Sequence, residues 1–349
     1  MLLQQLSEAI GISGQEDAIR KIILPAIKDH VTDLRLDTLG NITAIKVGTD
    51  PTAPRVMLTG HMDEVGFMVT GFDGDGLIHF TAVGGVDDRI LPGLRVKIGD
   101  KPVPGVIIWT PIHKSYGKND TVKTNALRID IGTDSKDETT GKVKLGDRIA
   151  FDSRYLELGD KMLRGKSFDD RVGCSLLVDL LQGGPYRATI LAAFTVQEEI
   201  GLRGARVAAR ILNPDMAIAI EGTTANDIPN PAADPDEAVD HNPACRLGAG
   251  PALTIMDRSV IVDPRLLAFL RQTAETNNLP YQLKTQPGGG TDAGAIHTTN
   301  SGVPSAVISV PCRYIHSPVA LLNRDDYANT LKLLQAALNA VTPDLLKRD

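Results

Sequence analysis

Five short motifs hold the side chains of this chain that are best suited to bind metal ions and activate water. Each motif follows or ends an apolar run, or opens a helical stretch. In chain order they are His61-Met62-Asp63-Glu64, Asp169-Asp170-Arg171, Glu198-Glu199, Glu221-Gly222 and Tyr314-Ile315-His316-Ser317-Pro318. Together they supply two imidazoles and an excess of carboxylates, which are ligand types that Zn²⁺, Co²⁺ and Mn²⁺ accept. In combination the motifs predict one two-metal hydrolase site.

The first two motifs allow a structural interpretation as well as a chemical one. His61 and Asp63 are two residues apart at the end of an apolar strand, so both side chains face one side and Asp63 can orient the imidazole. A polar turn that begins at Gly60 would also explain them. Asp169 or Asp170 can cap the helix that follows, or a carboxylate there can bridge two metal ions.

Glu198 and Glu199 follow the predicted strand Ala188–Val196. Carboxylates at the end of a buried strand are costly unless they are paired or bind a metal, and ligands of open α/β sheets collect at that end. One glutamate can then coordinate a metal while the other takes a proton from a metal-bound water. A solvated loop is the alternative interpretation.

Glu221 and His316 complete the candidate ligand set. Glu221 ends the apolar strand Met216–Ile220, and His316 follows another apolar strand. The carboxylates of Asp169, Glu199 and Glu221, together with a bridging hydroxide, would balance two divalent cations. A neutral cluster of this kind can lie in a poorly hydrated cleft without a large desolvation penalty.

A glycine-rich loop, Gly288-Gly289-Gly290-Thr291-Asp292, offers a place for a substrate. Gly289 and Gly290 let the backbone approach a bound molecule closely, because they carry no side chain. The loop lacks the lysine of a phosphate-binding loop, so nucleotide binding is not expected.

Two kinds of segment must position these motifs. From about Thr70 to Tyr155 the chain is dense in glycine and in short alternating runs, which predicts a small all-β barrel. Its candidate strands are Leu77–Ala82, Leu94–Ile98, Val103–Trp109, Leu127–Ile131 and Arg148–Phe151. We therefore expect an inserted β-rich domain over residues 70–156.

The remainder, residues 1–69 and 157–349, alternates strands and helices, which predicts an α/β domain whose largely parallel sheet is covered on both faces. A long loop is expected over Asn226–Leu247. The predicted helices are Leu2–Ile10, Glu16–His30, Asp170–Leu181, Gly204–Ile211, Pro264–Thr276 and Asp325–Val341, and the predicted strands are Val56–Thr59, Glu64–Val69, Ala188–Val196, Met216–Glu221 and Ala306–Val310.

Composition excludes several classes of function. The chain has 349 residues, 42% hydrophobic and 23% charged, which is ordinary for a globular protein of about two domains. The formal net charge of −6 argues against nucleic acid or an anionic membrane as partner. Cys174, Cys245 and Cys312 lack metal-type spacing and are expected to be buried thiols in a reducing cytoplasm. No apolar run approaches the ~20 residues that cross a bilayer, and the N-terminus lacks a basic signal-peptide region.

The order and wording of these motifs resemble the TET-type dinuclear metallo-aminopeptidases, the group of bacterial glutamyl aminopeptidases and archaeal deblocking aminopeptidases. The resemblance covers nearly the whole chain. Besides the motifs around His61 and His316, it includes Gly11-Ile12-Ser13-Gly14-Gln15-Glu16, Asp37-Thr38-Leu39-Gly40-Asn41 and Gly289-Gly290-Thr291-Asp292-Ala293-Gly294.

The resemblance implies a role for each candidate residue. One Zn or Co ion, or Mn, would be held by His61 and Glu221, and a second by Glu199 and His316. Asp169 would bridge the two ions, and Asp63 would be the carboxylate behind His61. A metal-bridging hydroxide would attack the peptide bond with Glu198 as general base, releasing N-terminal residues from short peptides.

The resemblance also implies a zinc-peptidase-like fold, in which a mixed sheet is sandwiched by helices and the inserted domain serves dimerisation. Dimers would build a tetrahedral homododecamer. A small domain buries little apolar surface by itself, so we expect an exposed apolar patch on the insertion. Its candidate residues are Ile90, Leu91, Ile107, Trp109 and Ile112.

Two alternatives to an aminopeptidase stay open at this point. A related dizinc hydrolase would act on N-acyl amino acids or on peptide C-termini, and it would need a cationic clamp for a carboxylate, for which Arg313 is the candidate. A non-catalytic, metal-dependent binding protein would require loss of Glu198 or of a ligand, and none is missing. The preferred N-terminal residue of a substrate does not follow from the motifs.

Overall fold

A mixed β-sheet forms the larger part of the molecule, and a closed β-barrel is inserted into it. The computed structural model describes residues 2–110, 112–114, 121–228 and 244–348. In chain order the helices are α1 (Leu2–Glu8), α2 (Asp17–Ile27), α3 (Lys136–Thr140), α4 (Phe168–Gln182), α5 (Arg203–Leu212), α6 (Pro264–Thr276), α7 (Asp292–Ile296) and α8 (Arg324–Ala340).

The strands fall into two groups, those of the large sheet and those of the barrel. In chain order they are β1 (Thr32–Leu36), β2 (Ile42–Lys46), β3 (Val56–His61), β4 (Gly66–Phe72), β5 (Ile78–Val83), β6 (Arg95–Ile98), β7 (Val103–Ile108), β8 (Arg128–Asp130), β9 (Arg148–Phe151), β10 (Leu156–Leu158), β11 (Met162–Gly165), β12 (Ile190–Thr195), β13 (Met216–Thr224), β14 (Ala252–Thr254), β15 (Gln282–Lys284), β16 (Ser305–Arg313) and β17 (Ala320–Asn323).

The large sheet runs in the order β1-β2-β12-β3-β13-β16-β17-β11-β10, with β14 paired to β15 and β16. The four central strands, β12, β3, β13 and β16, are parallel to one another, and antiparallel strands flank them. Every residue of β3 and β12 is buried. Since parallel strands end at one edge, the polar residues that end or follow β3, β12, β13 and β16 meet there.

Alternate residues of the central strands pack into two different cores, as the period of a strand requires. Val56 and Leu58 of β3 join the core that contains residues of α4 and α8, whereas Met57 joins the one that contains residues of α5 and α7. Apolar side chains therefore cover both faces of the sheet, which confirms the predicted α/β architecture. The expectation of a largely parallel sheet is correct only for the centre, because antiparallel pairs form both sides.

The barrel closes through the strands β4-β5-β8-β7-β6-β9 and has a hydrophobic core of its own, including Phe67, Ile98 and Ile149. Its first strand begins at Gly66, before the predicted domain boundary at residue 70, and β10 belongs to the large sheet. The predicted strand Glu64–Val69 is wrong in its bounds for the same reason. The mixed sequence that precedes Gly66 gives no signal for where the chain leaves the sheet.

The expected exposed patch on the insertion is only partly correct. Leu91 and Ile107 lie in the barrel core with 0% exposure, and Ile90 packs against that core from its edge. Trp109 is exposed to 39%, and the side chain of Ile112 lies outside the described residues. The barrel closes on itself and buries more of its apolar residues than its size suggests.

Other predicted elements agree closely with the observed ones. The bounds of α6 and β9 are confirmed, whereas the helix predicted over Glu16–His30 ends at Ile27. The strands that pattern reading misses, β1, β2, β10, β11, β14, β15 and β17, are short and mostly lie toward the edges, where no long apolar run marks them. The three cysteines are buried, as expected. Residues 229–243 of the loop predicted over Asn226–Leu247 lie outside the described residues.

Across the residues that the structure describes, there is no helix with both the length and the apolar character that crossing a membrane requires.

Candidate active site

His61 ends β3, and both of its ring nitrogens are engaged. Nδ1 lies 3.1 Å from the backbone oxygen of Asp63, which can only accept a hydrogen bond, so Nδ1 carries a proton. Nε2 faces a group of acids and would offer its lone pair to a cation held among them. It lies 3.3 Å from Asp169 Oδ1 and 3.7 Å from Glu221 Oε2. The side chain is buried, as expected of a ligand on a core strand.

His316 follows β16 and faces the same acids from the other side. Its Nδ1 lies 2.9 Å from the backbone oxygen of Gly85, a residue of the inserted segment that follows β5. That contact leaves Nε2 directed at Asp169 Oδ2, 3.3 Å away, and at Glu199 Oε1, 3.4 Å away. The residue adopts a left-handed backbone conformation with φ of 58°, a cost that surrounding contacts must hold in place.

The two aspartates at the start of α4 have different surroundings. Asp169 presents one carboxylate oxygen to each imidazole, the arrangement that a bridging ligand needs. Asp170 accepts the Gly173 N–H at 2.9 Å and the His61 N–H at 3.0 Å. Asp170 is thus the cap that the sequence allowed for one of the pair, and it ties the end of β3 to α4.

Two groups of side chains are close enough to hold a metal ion each. One contains His61, Asp170 and Glu221, and the other contains Asp169, Glu199 and His316. Asp169 also touches the first group through His61. The five predicted ligands are therefore gathered around one point, with Asp170 as an additional neighbour whose oxygens already accept backbone hydrogen bonds.

Asp63 holds the turn that carries Glu198 and Glu199. Its Oδ1 accepts the backbone N–H of Glu198 at 2.9 Å, and its Oδ2 accepts that of Glu199 at 3.2 Å and the hydroxyl of Ser13 at 2.6 Å. The carboxylate lies 3.6 Å from His61 Nδ1, farther than the residue's own carbonyl oxygen. Asp63 thus lies behind His61, as the resemblance implies, and its shortest carboxylate contacts are with Ser13 and the Glu198–Glu199 turn.

Glu64 and Arg171, which flank the ligand motifs, form a separate buried ion cluster. Glu64 accepts from Lys166 Nζ at 2.7 Å and from Arg171 Nη2 at 3.2 Å. Arg171 also donates to the carbonyl oxygen of Leu6, so the cluster fastens α1 to the base of the site. These charges serve packing and do not line the central cavity.

Burial and mutual repulsion disturb the ionisation of the acids. Burial raises the pKa of Glu198 and of Glu221 well above the ordinary value, and it raises the pKa of Glu199 to about 7. Burial alone would lower the pKa of His316, but Asp169 and Glu199 raise it to about 9. Positive charge is therefore what this cluster lacks.

Divalent cations fit the residues present. Glu199 Oε1 is buried without a hydrogen-bond partner, an arrangement that usually has a cause such as a missing ion. Two imidazoles whose Nε2 atoms face carboxylates are also the donor set that Zn²⁺ and its neighbours accept. The chemistry such a set supports is the activation of water for hydrolysis.

A cavity of about 1040 Å³ opens at the acids. Gly289 and Gly290 line it, as predicted for substrate-binding residues. Arg313 is not among its described lining residues. Its guanidinium donates to Asp227 at 2.7 and 2.9 Å, so the predicted clamp is already paired within the protein.

Lys284, in contrast, lines the cavity and was not predicted. It ends the short strand β15, and its burial depends on β13, 61 residues earlier in the chain. A lysine in a polar stretch of sequence carries no signal of such a position.

The fold is of the α/β class, and its cavity contains imidazoles and carboxylates that could hold metal ions. This combination is that of a hydrolase. The family model of the M42 glutamyl aminopeptidases matches residues 40–333. The chain belongs to this family, whose members hydrolyse N-terminal peptide bonds.

Relatives of different preference resemble the chain over its whole length. The lysyl aminopeptidase of Pyrococcus furiosus is 32% identical, covering 98% of this chain and 97% of its own. The glutamyl aminopeptidase of Lactococcus lactis is 31% identical, covering 98% and 96%. The TET aminopeptidase of a Thaumarchaeota archaeon superposes with a TM-score of 0.91 at 35% identity, covering 99% and 97%.

A further solved relative is the TET1 peptidase of Pyrococcus horikoshii, which can assemble into a tetrahedron or a large octahedral shell. It superposes with a TM-score of 0.85 at 32% identity, covering 97% of this chain and 99% of its own. These comparisons confirm the family and the fold that the motifs predicted.

Proposed function

We propose that this enzyme is a two-metal aminopeptidase that removes N-terminal residues from short peptides. The observation that carries the proposal is the carboxylate of Asp169, one oxygen of which faces His61 and the other His316. Glu221 would complete one metal position and Glu199 the other. When bound, two divalent cations (Zn, Co or Mn) would supply Lewis-acid activation of water and of the scissile carbonyl.

Glu198 is the general base of this proposal. It lines the cavity beside His61, with Oε2 3.9 Å from Nε2, and its backbone N–H is held by Asp63. Burial raises its pKa above the ordinary carboxyl value, toward the range in which a carboxylate both takes and returns a proton near neutral pH. Glu198 would take a proton from the attacking water and deliver it to the leaving amine.

The alternatives lose support at Arg313. The cation that the sequence offered as the carboxylate clamp of an N-acyl amino acid deacylase or a carboxypeptidase is Arg313, and it already binds Asp227. A non-catalytic binding protein would have no use for Glu198, which lies beside the proposed metal ligands without being one of them. The N-terminal peptide-bond specificity of the family is the simpler assignment.

We further propose that the chain assembles as a tetrahedral dodecamer built from dimers and works in the cytoplasm. The relative from Pyrococcus horikoshii that forms a tetrahedron covers nearly the whole chain, barrel included. Exposed apolar residues on β7 and just after it, Val106 at 40% and Trp109 at 39%, offer the barrel a surface for a second copy.

Glu198→Gln tests the catalytic assignment. The amide cannot act as a base, so kcat should fall on the order of 10²–10⁴-fold while metal content stays at the wild-type level. Glu138→Gln is the matched control, because Glu138 is an exposed residue of the barrel that pairs with Lys142. A Glu198→Gln enzyme with full metal content and the wild-type rate would show that another group is the base.

The substrate class is tested with matched peptides that carry a free or an acetylated N-terminus. The free-amine peptides should be cleaved and the acetylated ones should not, because the amine must lie near the metals. Equal cleavage of both, or a preference for N-acyl amino acids, would favour the deacylase.

A further inference from the structure

Lys284 is a buried ammonium group in the wall of the candidate active site. Its residue exposure is 8%, and it lines the same cavity as His61, Glu221 and His316. It is the one lysine or arginine among the described residues of that wall. A cation at this position can influence which substrates the cavity binds.

The charge of Lys284 is not neutralised by the described part of the protein. Nζ donates to the hydroxyl of Thr223 at 2.7 Å, and none of the carboxylates in the described ranges lies within ion-pair distance. An ammonium has three protons and no acceptor, and a buried charge without a counter-charge is costly. An anion entering the cavity would relieve that cost.

Thr223 shows how far the Lys284 ammonium lies from the proposed metal ligands. Glu221 and Thr223 are two residues apart on β13, so their side chains share one face and their Cα atoms are about 7 Å apart. That separation is comparable to the reach of one amino-acid side chain. The first side chain of a substrate whose α-amine and scissile carbonyl lie at the acids can therefore reach Lys284.

We propose that Lys284 binds the side-chain carboxylate of an acidic N-terminal residue, glutamate or aspartate, and so sets the preference of this enzyme. The inference rests on the proposed aminopeptidase function and deepens it. Membership of the family does not decide the matter, because relatives that cover the whole chain include both a lysyl and a glutamyl aminopeptidase.

A carboxylate could also come from the C-terminus of a dipeptide, and substrates can separate the two sources. Glutamyl and glutaminyl p-nitroanilides have no C-terminal carboxylate and differ only in the charge of the side chain. Gln-Gly and its C-terminal amide differ only in the other carboxylate. Leucyl and lysyl p-nitroanilides complete the panel.

The wild-type enzyme should cleave the glutamyl substrate with kcat/KM about 10–100-fold above the glutaminyl one, which corresponds to the free energy of one hydrogen bond between charged groups. Lys284→Met should bring this ratio close to one, and Lys284→Arg should restore most of it. Lys284→Glu should shift the preference toward the lysyl substrate. Lys161→Met, which removes an exposed lysine paired with Asp325, is the matched control and should leave the ratio unchanged.

The possible failures are distinguishable. If the wild type cleaves the neutral substrates as well as the glutamyl one, or if Lys284→Met alters only the ratio of Gln-Gly to its amide, the assignment of Lys284 is overturned and the aminopeptidase function stands. If no free-amine substrate is cleaved by metal-loaded wild type, the proposed function falls and the inference falls with it. Even if Lys284→Met does not fold, a wild-type ratio near one overturns the assignment of Lys284, and the Lys284→Arg and Lys284→Glu variants still test it.

Discussion

Replacement of Asp63 by asparagine should impair the enzyme through the position of its base. Asp63 is fully buried, and its two oxygens accept hydrogen bonds from the backbone N–H groups of Glu198 and Glu199 and from the Ser13 hydroxyl. Asparagine keeps the shape but places an NH₂ group where one oxygen was. Ser13 can rotate its hydroxyl and accept from that NH₂, whereas a backbone N–H cannot.

The least costly orientation of the amide follows from this difference. With its nitrogen beside Ser13, the Glu199 N–H is left buried without an acceptor, and the bond to Glu198 loses its charged partner. One unsatisfied buried donor costs about 1–3 kcal/mol, and the loss of charge assistance adds about 1 kcal/mol. A turn displaced by about 1 Å to relieve this cost can lower the rate on the order of 10²-fold.

Asp63→Asn should therefore lower both the thermal unfolding midpoint and kcat, with a smaller effect on KM. Calorimetry, steady-state kinetics and metal analysis on the same preparation would measure all three. Ser13→Ala is the matched control, because it removes one donor and leaves the carboxylate and both backbone bonds in place. An Asp63→Asn enzyme with wild-type kcat and midpoint, or a Ser13→Ala enzyme that is equally impaired, would refute the reasoning.

Three further outcomes are expected. After dialysis and reloading, metal analysis should approach two divalent ions per chain, and saturation at one would contradict the two-ion assignment. Metal uptake should tighten as pH rises from 7 to 9, and it should release more protons at pH 7 than at pH 9. In the metal-free protein the pKa of Glu199 is about 7 and that of His316 about 9, and a cation needs both groups deprotonated; titration heats that do not vary with the buffer would contradict this. Trp109→Asp should give particles smaller than wild type by light scattering, since a charge at an apolar contact opposes assembly, and unchanged particles would remove this residue from the interface.

The strand-borne ligands were predictable because one physical rule locates them. His61 ends β3 and Glu221 follows the apolar run of β13, and buried strands of this kind in an α/β protein are parallel and end at one edge. Polar side chains at the carboxyl ends of these strands therefore lie close together, whatever conformation the connecting loops adopt. The same rule located the turn of Glu198 and Glu199 from the strand that precedes it.

Partnerships across the chain were not predictable in the same way. Ser13 reaches Asp63 over 50 residues, Arg313 reaches Asp227 over 86, and Lys284 reaches Thr223 over 61. Each pair depends on how separate layers pack, which local periodicity does not encode. The pairing of Arg313 with Asp227 and the place of Lys284 in the cavity wall were missed for this one reason.

The contact between His316 and Gly85 has a consequence for how this protein can change over generations. The barrel contributes a main-chain oxygen to the site, so many side chains at position 85 would present the same atom, provided that the backbone keeps its course. A Cβ at Gly85 would lie 3.4 Å from the imidazole, whereas one at Gly84 would meet Val65 at 2.8 Å. We therefore expect this turn to tolerate exchange of residues at position 85 better than a gain or loss of one residue. The contact with His316 therefore constrains the length of the turn at Gly85 more than it constrains which residue occupies position 85.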